Sequence, residues 1–415
     1  MIDWRPSTWG DEIALEYGKA IRGYQDAVGD YRVYGTNGPV GWTSDYLTAG
    51  PGIILGRKGA YRGVNFCTEP FWVIDTAYYV RPLHDQLDMR WLFYAIQHHK
   101  LGEIDDGSPI PSTTRAAVYV RDLDVPPLPE QRAIAKCLLV YDDKIDLNLQ
   151  TNKTLESMAR AIFKDWFVDF GPTRRIASGE TDPVAILGGL LPDSAQAAAV
   201  TSLFPKNLGA NGLPEGWEER EIGDLCQIVG GGTPSTKEPI FWEAGTHLWA
   251  TPKDLSKLTG MFIRETERRI TDLGLAKIRS GLSPKGSVLM SSRAPIGYVA
   301  IVEKPMAINQ GFIAMQPAPA LPTEFVYFWT LENLDLIKAN ANGSTFQEIS
   351  KKNFRPLKVN HASADVLAKF SKVAGALLEM IRNNEQENQS LTAIQDLLLP
   401  KLMSGRLRLE HTEGS

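Results

Sequence analysis

DDKIDLNLQTNKTLE, residues 142–156, has the composition of a helix but puts Asn148 and Asn152 where apolar side chains belong. Stepping outward by alternating threes and fours gives Ile134, Leu138, Tyr141, Ile145, Asn148, Asn152, Leu155, Ala159, Ile162 and Trp166. That spacing is the a/d seam of a coiled coil, with polar residues in two central seats. A helix over 129–168 would be about 55–60 Å long at 1.5 Å per residue. VPPLPEQ (125–131) sets its start, because consecutive prolines hold the backbone extended before a helix can begin.

The chain repeats itself. GIILGRKGAYRG (52–63) lines up with GSVLMSSRAPIG (286–297) at an offset of 234, glycine on glycine at both ends. PFWVIDTAYYVRP (70–82) matches PMAINQGFIAMQP (305–317) at 235, and GSPIPSTTR (107–115) matches GSTFQEISK (343–351) at 236. Upstream, WGDEIALEYGKAIRG (9–23) pairs with IGDLCQIVGGGTPST (222–236) near 213. An offset of 236 also carries the seam into a second helix, where Asn148 and Asn152 become Asn384 and Asn388. Asparagines recurring in both copies read as paired features: a buried Asn can bond a partner Asn and fix register at some cost in stability.

The expected fold class is α+β: two similar strand-rich domains joined by two long antiparallel coiled-coil helices in a pseudo-twofold internal repeat. The expected boundaries are a first domain over 1–128, a spacer helix over 129–170 and a linker over 171–213. A second domain over 214–361 and a second spacer helix over 362–405 follow. The linker assignment rests on low periodicity and on abundant Gly, Pro and Ala.

Of the 415 residues, 43% are hydrophobic, enough for more than one core. Three distant cysteines (Cys67, Cys137, Cys226) argue against a disulfide framework or a zinc knuckle. No signal pattern opens the sequence and no apolar run is long enough to span a bilayer, so the expectation is a cytoplasmic protein without membrane partners. Net charge is −5, but residues 253–304 hold ten Lys/Arg against five Asp/Glu, whereas residues 1–125 hold 12 against 16. Nucleic-acid binding needs local positive charge, so the charge evidence is split between the copies.

Reaction chemistry is missing. There is no GxxxxGK[ST] loop and no [DN]PP[YF] motif, and six histidines show no metal-ligand spacing; His98 and His99, adjacent on an expected helix, should point apart. DDK (142–144) has the form of a nuclease D-x-K but lies on the rod, where a solvated helix face accounts for it. No catalytic residue, metal ligand or cofactor is assigned to this chain.

Several stretches together resemble the DNA-specificity subunit of Type I restriction–modification systems. They are GSPIPSTTR, then LDVPPLPEQRAIAKCL, a helix ending ARAIFKDWFVDF (159–170), LPEGWEEREIGDLCQIVGGGTPST (213–236), WATPKDL (249–255), and a helix ending LLLPKLMSGRL (397–407). The similarity runs over nearly the whole chain. Two departures are that VNHASADVL (359–367) replaces DVPPLPEQR in the second copy, and GKAIRG replaces the Gly-Thr-Pro stretch in the first. The resemblance implies a non-catalytic subunit in which each head reads half of a bipartite, asymmetric site in double-stranded DNA. The helices would set the gap and dock methyltransferase subunits, two of them, with restriction subunits added. S-adenosylmethionine, ATP and Mg would bind those partners, and the complex would methylate adenine and cleave DNA at the expense of ATP. A seam slip of one heptad would move the heads by about 10 Å, so asparagines that lock register would protect the gap.

Base reading uses paired donors and acceptors, Arg for guanine and Asn or Gln for adenine. The glycine-bearing loops of the first head offer Tyr34, Asn37, Arg57, Lys58 and Arg62. The second head offers Thr233, Ser235, Lys237, Thr251, Lys253, Ser291, Ser292, Arg293, Ser344 and Gln347. Asn148, Asn152, Asn384 and Asn388 are the register residues. An alternative function class is a non-catalytic protein-binding scaffold with two heads on a rod, which the acidic first head favours. The apolar helix ends FKDWFVDF and LPKLMSGRL suit either partner docking or packing on a head.

Overall fold

The structure, a computed structural model, describes residues 4–105, 107, 110–343 and 347–409. The chain divides into two compact units, Met1–Leu147 with Asn388–Ser415, and Asn148–Glu387.

In the first unit the strands run β1 (Arg5–Thr8), β2 (Ile13–Tyr17), β3 (Tyr31–Gly35), β4 (Gly38–Thr43), β5 (Gly52–Gly56), β6 (Val64–Cys67), β7 (Phe71–Val73), β8 (Ala77–Pro82) and β9 (Asp122–Val125). One sheet has the order β2-β8-β5-β6, a second β4-β3-β7, and β1 pairs with β9. β5 is buried along its whole length, as expected of a central strand, whereas β2 alternates with Ile13 and Leu15 inward. The helix Met89–His98 follows, capped by the Asp88 carboxylate, which accepts from the backbone NH groups of Arg90 and Trp91. Its Trp91, Leu92 and Ile96 join Ile13, Leu15, Ile53, Leu55 and Val80 in one core. Burial of each such side chain contributes on the order of 2 kcal/mol.

The second unit has β10 (Glu218–Glu221), β11 (Gln227–Gly230), β12 (His247–Ala250), β13 (Phe262–Ile263), β14 (Arg268–Ile270), β15 (Val288–Ser291), β16 (Val299–Val302), β17 (Ala307–Ile308), β18 (Phe312–Gln316) and β19 (Lys358–His361). The order β11-β18-β15-β16 repeats β2-β8-β5-β6, and β14-β12-β17 repeats β4-β3-β7. Even the parallel pair β3·β7 recurs as β12·β17. The second unit adds β13, parallel to β16, at the sheet edge. Pairing also corrects one offset. Ile53 stands opposite Val80 and Val288 opposite Met315, so β5 maps onto β15 at 235 rather than 234. The glycines at the ends of the two stretches are thus not equivalent. A one-residue slip exchanges the two faces of a strand, and the buried core decides against it.

The long helices are Leu128–Phe167 and Ala364–Met403, 40 residues each and so about 60 Å long. They pair antiparallel in both units. In the second, the Asn384 amide donates to Asn152 Oδ1 at 2.8 Å and Asn148 Nδ2 donates to Glu387 Oε2 at 2.8 Å. In the first, Gln395 Nε2 donates to Asp142 Oδ1 at 2.7 Å and Tyr94 OH to Asp142 Oδ2 at 2.5 Å. Asp142 of the DDK stretch is therefore a structural acceptor, and burial together with the hydrogen bond to Asp142 raises the Tyr94 pKa.

Both apolar helix ends belong to cores. Phe163, Trp166, Phe167 and Phe170 pack in the second unit, and Leu402 and Met403 in the first. The expected bare linker is folded as well. Short helices Gly171–Ala177, Pro183–Ile186 and Ser194–Thr201 occupy it, with Leu187, Ala197, Val200 and Phe204 buried in the core of the second unit. At the start of the first long helix Gln131 is fully buried; its amide donates to the Gln86 and Pro126 carbonyls at 2.9 Å and accepts from Asp88 N at 2.8 Å. The rings of His98 and His99 do not diverge as expected; their centroids lie 5.3 Å apart.

Candidate nucleic-acid interface

In each unit, backbone hydrogen bonds gather segments distant in sequence along one edge. In the first unit, Arg57 N donates to Thr76 O (3.0 Å), Thr113 N to Arg57 O (2.9 Å) and Ile74 N to Tyr34 O (2.9 Å). In the second, Ser292 N donates to Gly311 O (2.8 Å), Ile349 N to Ser292 O (3.0 Å) and Asn309 N to Ala250 O (3.0 Å). Lys19 N to Val73 O (2.8 Å) likewise recurs as Gly232 N to Ile308 O (2.9 Å). Gly18 and Gly231 sit where these strands cross most closely. A Cβ would lie 2.1 Å from Ile74 O in one and 1.9 Å from Ile308 O in the other, so both positions require glycine. These four backbone bonds recur in both heads.

The side chains on the frame sort into two groups. Arg62 is a brace: Nε donates to Gly102 O (2.8 Å) and Thr113 Oγ1 (3.1 Å), Nη1 to Gly59 O (2.6 Å), and Nη2 to Ile104 O (2.9 Å). Three of its five N–H groups are thus bound inside the fold. Ser291 is fully buried, donating to Pro295 O (2.7 Å) and accepting from Tyr298 N (2.9 Å); Ser292 is buried as well. Thr251 caps the helix Pro252–Ser256 through Asp254, to which its hydroxyl donates at 2.6 Å. Tyr34 is half-buried edge-on to Phe71, and burial with a hydrogen bond to Cys67 raises its pKa. None of these five residues presents a free reading group.

Asn37, Lys58, Ser235, Lys237 and Gln347 are exposed. Thr233, also exposed, donates to Gln310 Oε1. Arg57 Nη1 donates to Asp75 O (3.0 Å), and Arg293 pairs with Glu348 at 3.8 Å, next to Gln347. Ser344 lies outside the described residues.

The basic stretch 253–304 is largely neutralised. Lys253 and Lys257 both reach Glu267, at 3.0 and 3.1 Å; Lys304 and Arg269 reach Glu265; Lys285 reaches Glu303. The lysine hydrogen bonds hold the Glu267 carboxyl below its ordinary pKa, and the bond from Lys304 does the same for Glu265. Arg264 is 9% exposed and binds Glu385 at 2.7 Å, while Arg268 stacks on Trp242, its guanidinium carbon 3.6 Å from the ring centroid. The local excess of +5 is thus not an open cationic face.

The model of the Type I restriction modification DNA specificity domain matches residues 1–157 and 214–366, once on each half of the repeat. The chain belongs to this family. Among relatives of the specificity family, the MjaIX specificity subunit of Methanocaldococcus jannaschii is 34% identical over 184 residues, 44% of this chain and 42% of the relative. The HindI specificity subunit of Haemophilus influenzae is 28% identical over 331 residues, 72% of this chain and 71% of the relative. The chain thus spans under half the length of the first of these relatives. The crystal structure of the Type I system S subunit from M. genitalium superposes with a TM-score of 0.57 at 18% identity, covering 97% of this chain and 96% of that one. That likeness carries the two-headed α+β fold of the specificity family.

Residue-by-residue reading missed Tyr17 and Arg115, which flank Arg57 on the first edge. The available signals were an outward aromatic closing an alternating strand and an arginine opening a short helix.

Proposed function

We propose that this chain is the DNA-specificity subunit of a Type I restriction–modification complex and that each head reads one half of a bipartite, asymmetric site in double-stranded DNA. The observation that carries this reading is the duplicated edge, with the same backbone frame in both heads and different side chains mounted on it. Two readers of one construction but unlike chemistry suit two half-sites of unlike sequence. In this reading the chain is non-catalytic and acts in the cytoplasm. Two methyltransferase subunits, carrying S-adenosylmethionine to adenine, dock on the long helices, where Val140, Leu147, Met158, Met380, Ile394 and Leu397 are exposed. Restriction subunits supply ATP- and Mg-dependent cleavage. The polar layer of Asn148, Asn152, Asn384 and Glu387 holds the helix register and with it the gap between half-sites.

The test is selection of duplexes from a random pool by the chain co-purified with its methyltransferase, followed by mapping of methylated adenines. The expected result is two short blocks separated by a constant gap; one contiguous motif, or no enrichment, overturns the reading. Deleting residues 148–151 should shift the gap or abolish selection. The neutralised basic stretch favours a second reading, a protein-binding scaffold, for which association should be insensitive to salt and to DNA.

A further inference from the structure

In the first head three side chains from separate segments converge at an exposed aromatic. Tyr17, at the end of β2, is 46% exposed. The guanidinium carbon of Arg57 lies 4.8 Å, and that of Arg115 4.1 Å, from its ring centroid. Both also lie over Tyr78, at 5.8 and 5.9 Å, whose own ring is 5.1 Å from that of Tyr17. Guanidinium planes held against aromatic rings have lost much of their rotamer freedom before any ligand arrives.

The charges do not cancel. Glu16 pairs with Arg81 at 3.0 Å and with Arg115 at 3.6 Å, so one carboxylate is shared between two arginines. The Asp75 side chain is exposed nearby, and its carbonyl oxygen takes one Arg57 NH. Arg115 Nε is buried without a hydrogen-bond partner.

Among the described residues the second head has no equivalent. Under the register of the repeat, Tyr17 becomes Gly230, Arg57 becomes the buried Ser292, and Arg115 becomes Lys351. The Lys351 chain lies across Gly230, its Nζ, Cε and Cδ 3.3, 3.4 and 3.5 Å from where a Cβ would sit. One flexible cation replaces two braced ones.

We propose that Arg57 and Arg115, held on Tyr17, form a phosphate clamp for the DNA backbone that only the first head possesses. The proposal rests on the DNA-binding reading and deepens it. Two braced guanidiniums match the oxygens of a phosphodiester, and such a contact positions the head without reading sequence.

The test uses the full chain, a mixed-sequence duplex and the site selected from a random pool. Affinity is measured against salt for R57Q, R115Q and R115K. Each glutamine variant should bind every duplex more weakly and lower the slope of log affinity against log salt by about 1, so that affinity lost between 50 and 200 mM salt shrinks roughly fourfold. R115K should restore most of the slope, which a folding defect would not allow. Unchanged slopes with intact wild-type binding overturn the clamp alone, as does a loss confined to one base position, which marks base reading instead. No salt-dependent binding by the unsubstituted chain overturns the functional reading and the clamp with it.

Discussion

The two heads agree in backbone and differ in what holds the backbone still. The loop after β5 is braced from outside by Arg62, which reaches Gly102, Ile104 and Thr113. The loop after β15 is braced from within by Ser291, bonded to Pro295 and Tyr298. Beneath the edge, Glu12 is buried between Arg5 and Ser7, whereas its counterpart is Leu225. On the second head alone, β13 is pinned to the long helix by Glu385. That carboxylate accepts from Met261 N at 2.6 Å and from Arg264 Nη1 at 2.7 Å. One frame therefore tolerates unrelated internal chemistry, which leaves its exposed positions free to diverge.

The largest separation between the heads should come from E385A. It leaves Arg264 buried and unpaired, at a cost of about 3–5 kcal/mol. Hydrogen exchange should accelerate around 261–264 and stay unchanged in the first head. R62A comes next, with about 2–3 kcal/mol lost as a charged donor set disappears from buried carbonyls. S291A, which removes the brace on the corresponding loop of the other head, should cost about 1 kcal/mol. Equal effects of the two would mean that the braces are interchangeable.

A pH series sharpens the comparison at Glu12. Burial alone would raise its pKa, but hydrogen bonds from Arg5 and Ser7 outweigh burial, and the folded value is lowered. Its stabilisation is therefore present above the unfolded pKa of about 4.3 and is lost as pH falls through the depressed folded value. Acid should loosen the first head around Glu12, and E12Q should flatten that loss. The solvent-screened Glu265 and Glu267 of the second head, also held low, should contribute less there. An acid response of the first head left unchanged by E12Q would remove Glu12 as the cause. The smallest effect is expected for N152L combined with N384L. Melting should rise slightly as a polar pair leaves the seam, while the selected gap loses its single value.

The seam, the duplication and the coiled-coil asparagines could be read from sequence because period and spacing carry them. The candidate site could be read only in part. Arg62 looks exposed in GRKGAYRG, because the carbonyls it satisfies lie about forty residues away at 102 and 104. Ser291 and Ser292 look like a polar loop but close a fully buried strand. Residues 171–213 read as a linker because their buried contacts, such as Ala197 and Phe204, are sparse and set by packing rather than by period. The basic stretch misled for a related reason: composition counts charges, whereas the fold pairs them.

The first unit takes Leu402 and Met403 into its core from nearly four hundred residues downstream of Trp4, while residues 148–387 of the second are contiguous. During synthesis, then, the head made first cannot finish folding until the last helix has left the ribosome. The head made second can fold as it emerges. Birth order and folding order are reversed, and a ribosome stalled late in translation would carry one finished reader and one still waiting for its closing residues.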